Sequence, residues 1–463
     1  MKKRSTLFRT LRLAVLFTLL GLAALLYLWN RNIDPRFYRF LETRPGAGLA
    51  RVMGWDHTFN LPPLDLPESE MTEEELAIKR ELEARVLAEQ PTHELTLRTG
   101  QTLRGSLISE TAHAVTFREQ YGAAGELAVT IRRERVQQIV PLDLPIPRVY
   151  YRDVLFQKEF PSFVLYRRPP YTIVTDESFF RVEHSIRILE RMHRDFLYLF
   201  EPVIVQPERG ENIQVLFFSD ENAYSRYQRA HAPRMESSSG FYSPQLDRLV
   251  IFNQISSAQL REARERMDLQ ERAFRRTATD PEALEALAAW RRDTERNLQR
   301  YAEEQTQFTL RHEGAHQLFF TYGVHSTHQA ENTWLVEGLA VFCEASRVGL
   351  REPDRVSTVK GHARDETLIP LAELLASRSP RGFFVYGGAE RVSLAYAQSW
   401  SIVHFLMQPQ YREGFFDFIR FVRDPANVQA VATRPQIELL AEFLSMSPES
   451  FERLWREYIM IRL

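Results

Sequence analysis

The segment that decides the fold is "RHEGAHQLFF", residues 311–320. His312 and His316 stand four residues apart, so on a helix both imidazoles leave the same face. Two nitrogen ligands on one rigid element suit a tetrahedral zinc ion. Glu313 points about 100° around the helix from His312, where its carboxylate can approach a metal without binding it. The spacing therefore predicts a zinc site, although a pair of satisfied core histidines would produce the same pattern.

A third ligand has to come from another part of the chain. A third histidine six residues after His316 would fall at position 322, which is Tyr322, so the metzincin arrangement is excluded. The polar loop "GVHSTHQAEN" follows, and we expect its His325 and His328 to face solvent. "NTWLVEGLAVFCEA", residues 332–345, then reads as an apolar helix. A carboxylate buried on such a helix is costly unless it is paired or bound to a metal, so Glu337 requires a nearby cation.

Together, the two segments resemble the gluzincin metallopeptidases, the thermolysin-like clan with a peptidase MA-like core. The likeness in the second helix is carried by Trp334, Leu335, Glu337, Gly338, Ala340 and Glu344. The resemblance implies that His312, His316 and Glu337 bind zinc and that Glu313 is the general base. It also implies that Glu344 orients a ligand histidine or the helix pair.

A downstream helix extends this resemblance. "YAQSWSIVHFL", residues 396–406, is similar to the tyrosine-bearing helix of poorly characterised bacterial envelope proteins with a peptidase core. In gluzincins a tyrosine or histidine from this region stabilises the oxyanion. Tyr396 is the candidate and Tyr386 the reserve, while helix packing is the alternative role for Tyr396. His404 is expected to be a core or partly buried histidine and not a ligand.

The substrate class follows from a missing motif. Gluzincin aminopeptidases carry a Gly-x-Met-Glu-Asn strand that binds the substrate amine, and no such motif precedes His312. We therefore expect an endopeptidase that cuts a peptide or protein substrate. The predicted strand "DRLVIFN", residues 247–253, could pair with an extended peptide at a sheet edge.

The composition limits the possible partners and site types. The chain has 463 residues, 44% of them hydrophobic, and a formal net charge of -2, so we expect no nucleic-acid partner. Cys343 is the single cysteine, which excludes an internal disulfide and a zinc site built from several cysteines.

The N-terminus predicts a membrane anchor. Five basic residues in "MKKRSTLFRTLR" precede an uncharged run from Leu13 to Trp29, which as a helix spans roughly 26 Å. A cleaved signal peptide and a buried core helix are the alternatives. We predict a single-pass protein of the inner (cytoplasmic) membrane, with its N-terminus inside and its catalytic domain outside the cytoplasm.

The remaining patterns predict an α+β protein. "MTEEELAIKRELEARVLAEQ", residues 71–90, reads as a charged helix in which Thr72 and Glu75 form a capping box. From residue 93 to 141 apolar and polar residues alternate, which predicts five short strands in a small all-β barrel, similar to Sm-like or SH3-like barrels. Such a barrel would be a spacer or a protein-contact module. Alternating strands and helices then predict a mixed sheet with helices packed on it.

These features define five predicted segments and one predicted function. The segments are an anchor (1–30), a connector with the charged helix (31–92), the small β-barrel (93–141), a linker (142–164) and a gluzincin-like metallopeptidase domain (165–463). We predict a membrane-anchored zinc metallopeptidase whose general base is Glu313. The alternative is a non-catalytic zinc-binding envelope scaffold, or a peptide-binding protein on a peptidase fold.

Overall fold

The structure is a computed structural model that describes residues 61–100, 102–120, 126–232, 238–277, 280–326, 332–376, 384 and 388–463. Within these ranges no helix combines the length and the apolar character that crossing a membrane requires. The predicted anchor, residues 13–29, lies outside the described residues, as do His328 and Tyr386.

The chain forms two five-stranded sheets and many helices, which agrees with the predicted α+β class. The elements of the first part are α1 (Glu73–Ala88), β1 (His93–Leu97), β2 (Thr102–Glu110), β3 (Ala114–Gln120), β4 (Glu126–Arg132), β5 (Val136–Pro141) and α2 (Tyr151–Glu159).

Helix α1 begins at the predicted capping box. The Thr72 hydroxyl accepts from the Glu75 amide at 3.3 Å, and the Glu75 carboxylate accepts from the Thr72 amide at 3.0 Å. Leu82 of α1 is buried in the same core as Phe156 of α2, a helix that lies inside the segment predicted as a linker. Both helices that flank the small sheet therefore pack on the body of the protein, while the predicted domain boundaries stay a prediction.

The small sheet is open, so the prediction of a closed barrel is wrong for the part of the chain that the structure describes. Its strands are all antiparallel and run in the order β4-β3-β2-β1-β5. The alternation buries one face, with Leu95, Val115 and Phe117 at its centre. Here β4 pairs only with β3 and β5 only with β1. Period-two patterning specifies a buried face, but it does not specify that the two ends of the sheet meet.

The second sheet forms the core against which the histidine-bearing segment packs. Its elements and the helices between them are β6 (Val164–Arg168), β7 (Tyr171–Thr175), α3 (Phe179–Phe200), β8 (Ile213–Phe218), α4 (Glu221–His231), β9 (Gly240–Ser243) and β10 (Arg248–Phe252). The strand order is β6-β7-β8-β10-β9. Strands β7, β8 and β10 are parallel and β6 and β9 are antiparallel edges, so the predicted mixed sheet is confirmed.

The edge strand β9 was not predicted as a strand. The sequence "GFYSPQL" reads as a turn, but Gly240–Ser243 pairs antiparallel with β10. Strand β10 is therefore paired on both sides, with β8 and with β9, and the prediction that "DRLVIFN" offers a free edge is wrong. Within the described residues, β9 is the edge of this sheet that contacts Glu313.

The last part of the chain is helical. Its helices are α5 (Ala258–Thr277), α6 (Pro281–Thr321), α7 (Thr333–Phe342), α8 (Pro353–Arg364), α9 (Leu371–Leu375), α10 (Gly388–Leu406), α11 (Arg412–Arg423), α12 (Val428–Thr433), α13 (Gln436–Phe443) and α14 (Pro448–Ile461). Helix α5 ends at Thr277, and α6 begins at Pro281 with the Asp280 side chain as its cap. Helix α6 then continues for 41 residues, past both histidines.

Helix α7 brings Glu337 to the centre by packing tightly on α10. A Cβ atom on Gly338 would lie 2.9 Å from the Ser399 carbonyl oxygen of α10. Only glycine allows this approach, which explains why Gly338 follows Glu337 in α7. Trp334, Leu339 and Ala340 are buried on the same helix, so α7 is held on several sides.

Candidate metal centre

Three side-chain atoms from α6 and α7 converge on one point. Nε2 of His312 lies 3.2 Å from Nε2 of His316. Oε2 of Glu337 lies 3.4 Å from the first nitrogen and 3.6 Å from the second. Ligands of a tetrahedral zinc ion with bonds of about 2.0 to 2.1 Å stand roughly 3.3 to 3.4 Å apart. Among the described residues, these three form the group whose geometry could hold a metal ion.

The electrostatics of the triad favour a positive charge at its centre. Burial alone would raise the pKa of Glu337, but His316 and His312 outweigh it and hold that pKa well below its usual range. Burial would lower the pKa of His312, yet the neighbouring carboxylates of Glu337 and Glu344 raise it well above its ordinary value. Oε2 of Glu337 is buried and has no hydrogen-bond partner among the described residues. The centre therefore matches the donor set of a cation site.

Glu344 orients the first histidine. Oε1 of Glu344 lies 2.8 Å from Nδ1 of His312, and Oε2 accepts a 3.0 Å bond from Arg355 of α8. An ionised carboxylate can only accept, so Nδ1 carries the proton and Nε2 presents its lone pair to the triad. Glu344 thus lies where it can fix the tautomer of His312. No motif in the sequence points to Arg355.

Glu313 lies beside the triad but faces the sheet. Its Oε2 accepts a 2.9 Å bond from the Tyr242 backbone amide of β9. Oε1 has no hydrogen-bond partner among the described residues. Burial raises the pKa of Glu313, and the two histidines counteract that shift. A backbone donor carries no residue-type signal, so the sequence could not predict this contact.

Tyr396 of α10 packs beside His312. The two ring centroids are 6.1 Å apart, and Phe384 packs against the Tyr396 ring at 5.1 Å. Burial, followed by the charges of Glu337 and Glu313, raises the pKa of Tyr396. The phenol therefore keeps its proton at neutral pH and is available as a hydrogen-bond donor.

Two other histidines near this region are buried. His325 is 2% exposed, and both its ring nitrogens lack a hydrogen-bond partner among the described residues, so the expectation that it faces solvent is wrong. Burial lowers its pKa to about 3. The polar residues around His325 predict a solvated loop. In the structure, however, the His325 ring packs against Phe319 and Phe320. His404 is a core histidine, as expected, and pairs with the Tyr458 hydroxyl at 2.7 Å.

A separate cleft of about 560 Å³ lies between the small sheet and the body of the protein. Residues that line it include Glu89, Arg104, Arg168 and Glu190, and none of the triad residues reaches it. Volume alone does not mark a catalytic site, because chemistry requires converging functional groups. The candidate chemistry therefore belongs to the triad and not to this cleft.

Comparison with known proteins covers part of this region. Residues 307–427 match a family model described as "Protein of unknown function (DUF1570)". The match includes both histidines, Glu313, Glu337 and Tyr396, and it spans roughly a quarter of the chain. A search of curated proteins finds no match.

Proposed function

We propose that this protein is a membrane-anchored zinc metallopeptidase of gluzincin type that hydrolyses peptide bonds. The observation that carries the proposal is the convergence of His312, His316 and Glu337 at 3.2 to 3.6 Å, with a further carboxylate, Glu313, held beside them. Two histidines and one glutamate are a ligand set of catalytic zinc sites, which leave a position open.

Zinc fits the donor set better than a harder cation does. Two imidazole nitrogens and one carboxylate oxygen suit zinc, whereas magnesium and calcium prefer oxygen ligands throughout. When bound, zinc would supply Lewis acidity, lowering the pKa of water and polarising a peptide carbonyl. The residues of this chain would hold it through His312 Nε2, His316 Nε2 and Glu337 Oε2.

Glu313 is assigned the role of general base. Because Oε2 accepts from the Tyr242 amide, Oε1 is the atom that would take a proton from the attacking water. The partly desolvated carboxylate, whose pKa burial raises, is a stronger base than an exposed one. The same oxygen would then pass the proton to the leaving amine.

Tyr396 and Glu344 are assigned supporting roles. The protonated Tyr396 phenol, packed beside His312, would donate to the oxyanion that forms from the scissile carbonyl. The Glu344 carboxylate, paired with Arg355, would keep the His312 ring in its ligand orientation.

The substrate is assigned as a polypeptide cut at an internal bond. Strand β9 is the sheet edge beside α6, so an extended peptide could pair there next to Glu313. Gly240–Ser243 contains none of the acidic or amide side chains that would capture a free amine. The predicted anchor, residues 13–29, would place this activity at the membrane, outside the cytoplasm.

Metal analysis and a peptide digest test the proposal together. The purified protein should contain zinc and cut a peptide library at internal bonds, and the His316→Ala variant should lose both properties. His113→Ala, which removes an exposed histidine of the turn between β2 and β3, is the control. Zinc without any cleavage would favour the non-catalytic scaffold, and a parent protein that binds no zinc would refute the assignment.

A further inference from the structure

A buried aspartate closes the turn between β9 and β10. Asp247 is 2% exposed and has a φ of 48°, in the left-handed region that aspartate tolerates better than most residues. Its Oδ1 accepts from the Tyr242 hydroxyl at 3.0 Å and from the Thr321 hydroxyl at 3.3 Å. Its Oδ2 faces Arg209 at 3.1 Å and Arg152 at 3.3 Å.

These four partners come from four different parts of the chain. Arg152 belongs to α2, Arg209 to the short helix Pro207–Glu211, Tyr242 to β9, and Thr321 is the last residue of α6. Two guanidinium groups compensate for the buried carboxylate. The Asp247 side chain therefore fixes the β9–β10 turn to the end of the helix that carries Glu313.

Tyr242 connects this turn to the general base. Its hydroxyl donates to Asp247, and its backbone amide donates to Oε2 of Glu313 at 2.9 Å. Strand β9 has only four residues and, among the described strands, pairs with β10 alone, so its backbone is weakly held by the sheet. The bond from the Tyr242 side chain to Asp247 supplies the missing restraint on the amide that holds Glu313.

We propose that Asp247 is a positioning residue for Glu313 and that it acts through Tyr242. The carboxylate of Asp247 holds the Tyr242 ring, the ring holds the strand, and the strand amide holds one oxygen of Glu313. The other oxygen then stays directed for proton transfer. The consequence for catalysis rests on the proposed function, whereas the structural link between Asp247 and Glu313 does not.

Two variants test the link through activity. Asp247→Asn keeps the size of the side chain and its tolerance of the left-handed backbone, but it removes the charge. Tyr242→Phe removes the hydroxyl and leaves the amide. Each should lower kcat about tenfold while KM and zinc content stay at the parent values, because only the geometry of the base changes.

Matched controls separate positioning from stability. Asp153→Asn changes a carboxylate with no exposure that accepts from Thr172 and Asn212. Tyr171→Phe removes a buried hydroxyl that donates to the Leu189 carbonyl. Neither control residue takes part in the hydrogen bonds that run from Asp247 through Tyr242 to Glu313. Their variants should lower the unfolding temperature as much as the test variants do and leave kcat unchanged.

An NMR measurement tests the link without turnover. In protein labelled with ¹⁵N-tyrosine, the Tyr242 amide proton should resonate downfield because it donates to a carboxylate. It should move upfield in Glu313→Gln and in Asp247→Asn, but not in Asp153→Asn. If Asp247→Asn leaves both this resonance and kcat at the parent values, the residue is only structural and the proposal is wrong. If the parent protein shows no turnover, the proposed function fails and the amide resonance alone decides the positioning role.

Discussion

Nδ1 of His312 lies 2.8 Å from Oε1 of Glu344, a residue 32 positions further along the chain. The contact joins the helix of the histidines to the segment that follows α7. It fixes which nitrogen of His312 faces His316 and Glu337, because the carboxylate can only accept a hydrogen bond. A metal bound at the triad would therefore depend on Glu344 without touching it.

The first prediction concerns this contact. Glu344→Gln should weaken zinc binding about tenfold to a hundredfold, since an amide no longer selects the His312 tautomer and no longer forms an ion pair with Arg355. Competition with a chromophoric chelator measures the change. The control is Glu366→Gln, which changes an exposed glutamate. Equal zinc affinity in the parent and in Glu344→Gln would show that the contact does not orient the ligand.

The proposed role of Tyr396 predicts an effect on kcat but not on substrate or zinc binding. Tyr396→Phe should lower kcat by roughly a hundredfold, because it removes a single donor to the oxyanion. Zinc content and KM should change little, since the ring still packs against His312 and Phe384. Tyr411→Phe, a half-buried tyrosine packed on Phe405, is the control. An undiminished kcat in Tyr396→Phe would leave the residue with a packing role alone.

The close contact between α7 and α10 gives a prediction about stability. Gly338→Ala places a methyl group 2.9 Å from the Ser399 carbonyl oxygen and should lower the free energy of unfolding by about 1 to 3 kcal/mol. Gly361→Ala is the matched control, because nothing lies within 4 Å of its added Cβ on α8. The control should be neutral or stabilising. Thermal unfolding measures the stability of the two variants. Equal stability in Gly338→Ala and Gly361→Ala would contradict the prediction.

Buried histidines predict how stability depends on pH. Burial lowers the pKa of His404 to about 4, whereas a histidine in the unfolded chain titrates near 6.5. Below about pH 6.5, the His404 imidazole is protonated in the unfolded state but stays neutral in the folded state. The free energy of unfolding therefore falls as the pH drops toward about 4. The loss attributable to His404 should reach at most about 3 kcal/mol.

The variant His404→Gln tests this dependence. Urea unfolding at a series of pH values should show a shallower decline between about pH 6.5 and 4 in the variant than in the parent protein. Above that range the two curves should run parallel. An identical slope in both proteins would mean that His404 is not neutral in the folded state.

Much of the architecture is predictable because the sequence patterns are local. Strand Tyr171–Thr175 is a short run that is buried on both faces, and helix Phe179–Phe200 is amphipathic. The capping residues Thr72 and Asp280 fix the starts of α1 and α6. Closure of the small sheet was wrongly predicted, because alternation sets a buried face and not the pairing of distant strands.

In the candidate site, too, residues with a local sequence pattern were predictable, whereas contacts that depend on tertiary packing were not. The spacing of His312 and His316 and the position of Glu337 on an apolar helix predict the triad that the structure brings together. The strand Gly240–Ser243 is too short to show periodicity, so the amide that holds Glu313 was missed. The burial of His325 depends on how its loop folds back, which no local pattern records.

The Glu313→Gln variant tests the central claim most directly. Purified parent and variant should contain the same amount of zinc, because Glu313 is not one of the three converging groups. Peptide hydrolysis should fall by about a thousandfold in the variant, since the amide cannot accept the proton. Glu303→Gln, an exposed change on the same helix, should cut peptides as the parent does. A Glu313→Gln protein that hydrolyses peptides at the parent rate would contradict the account.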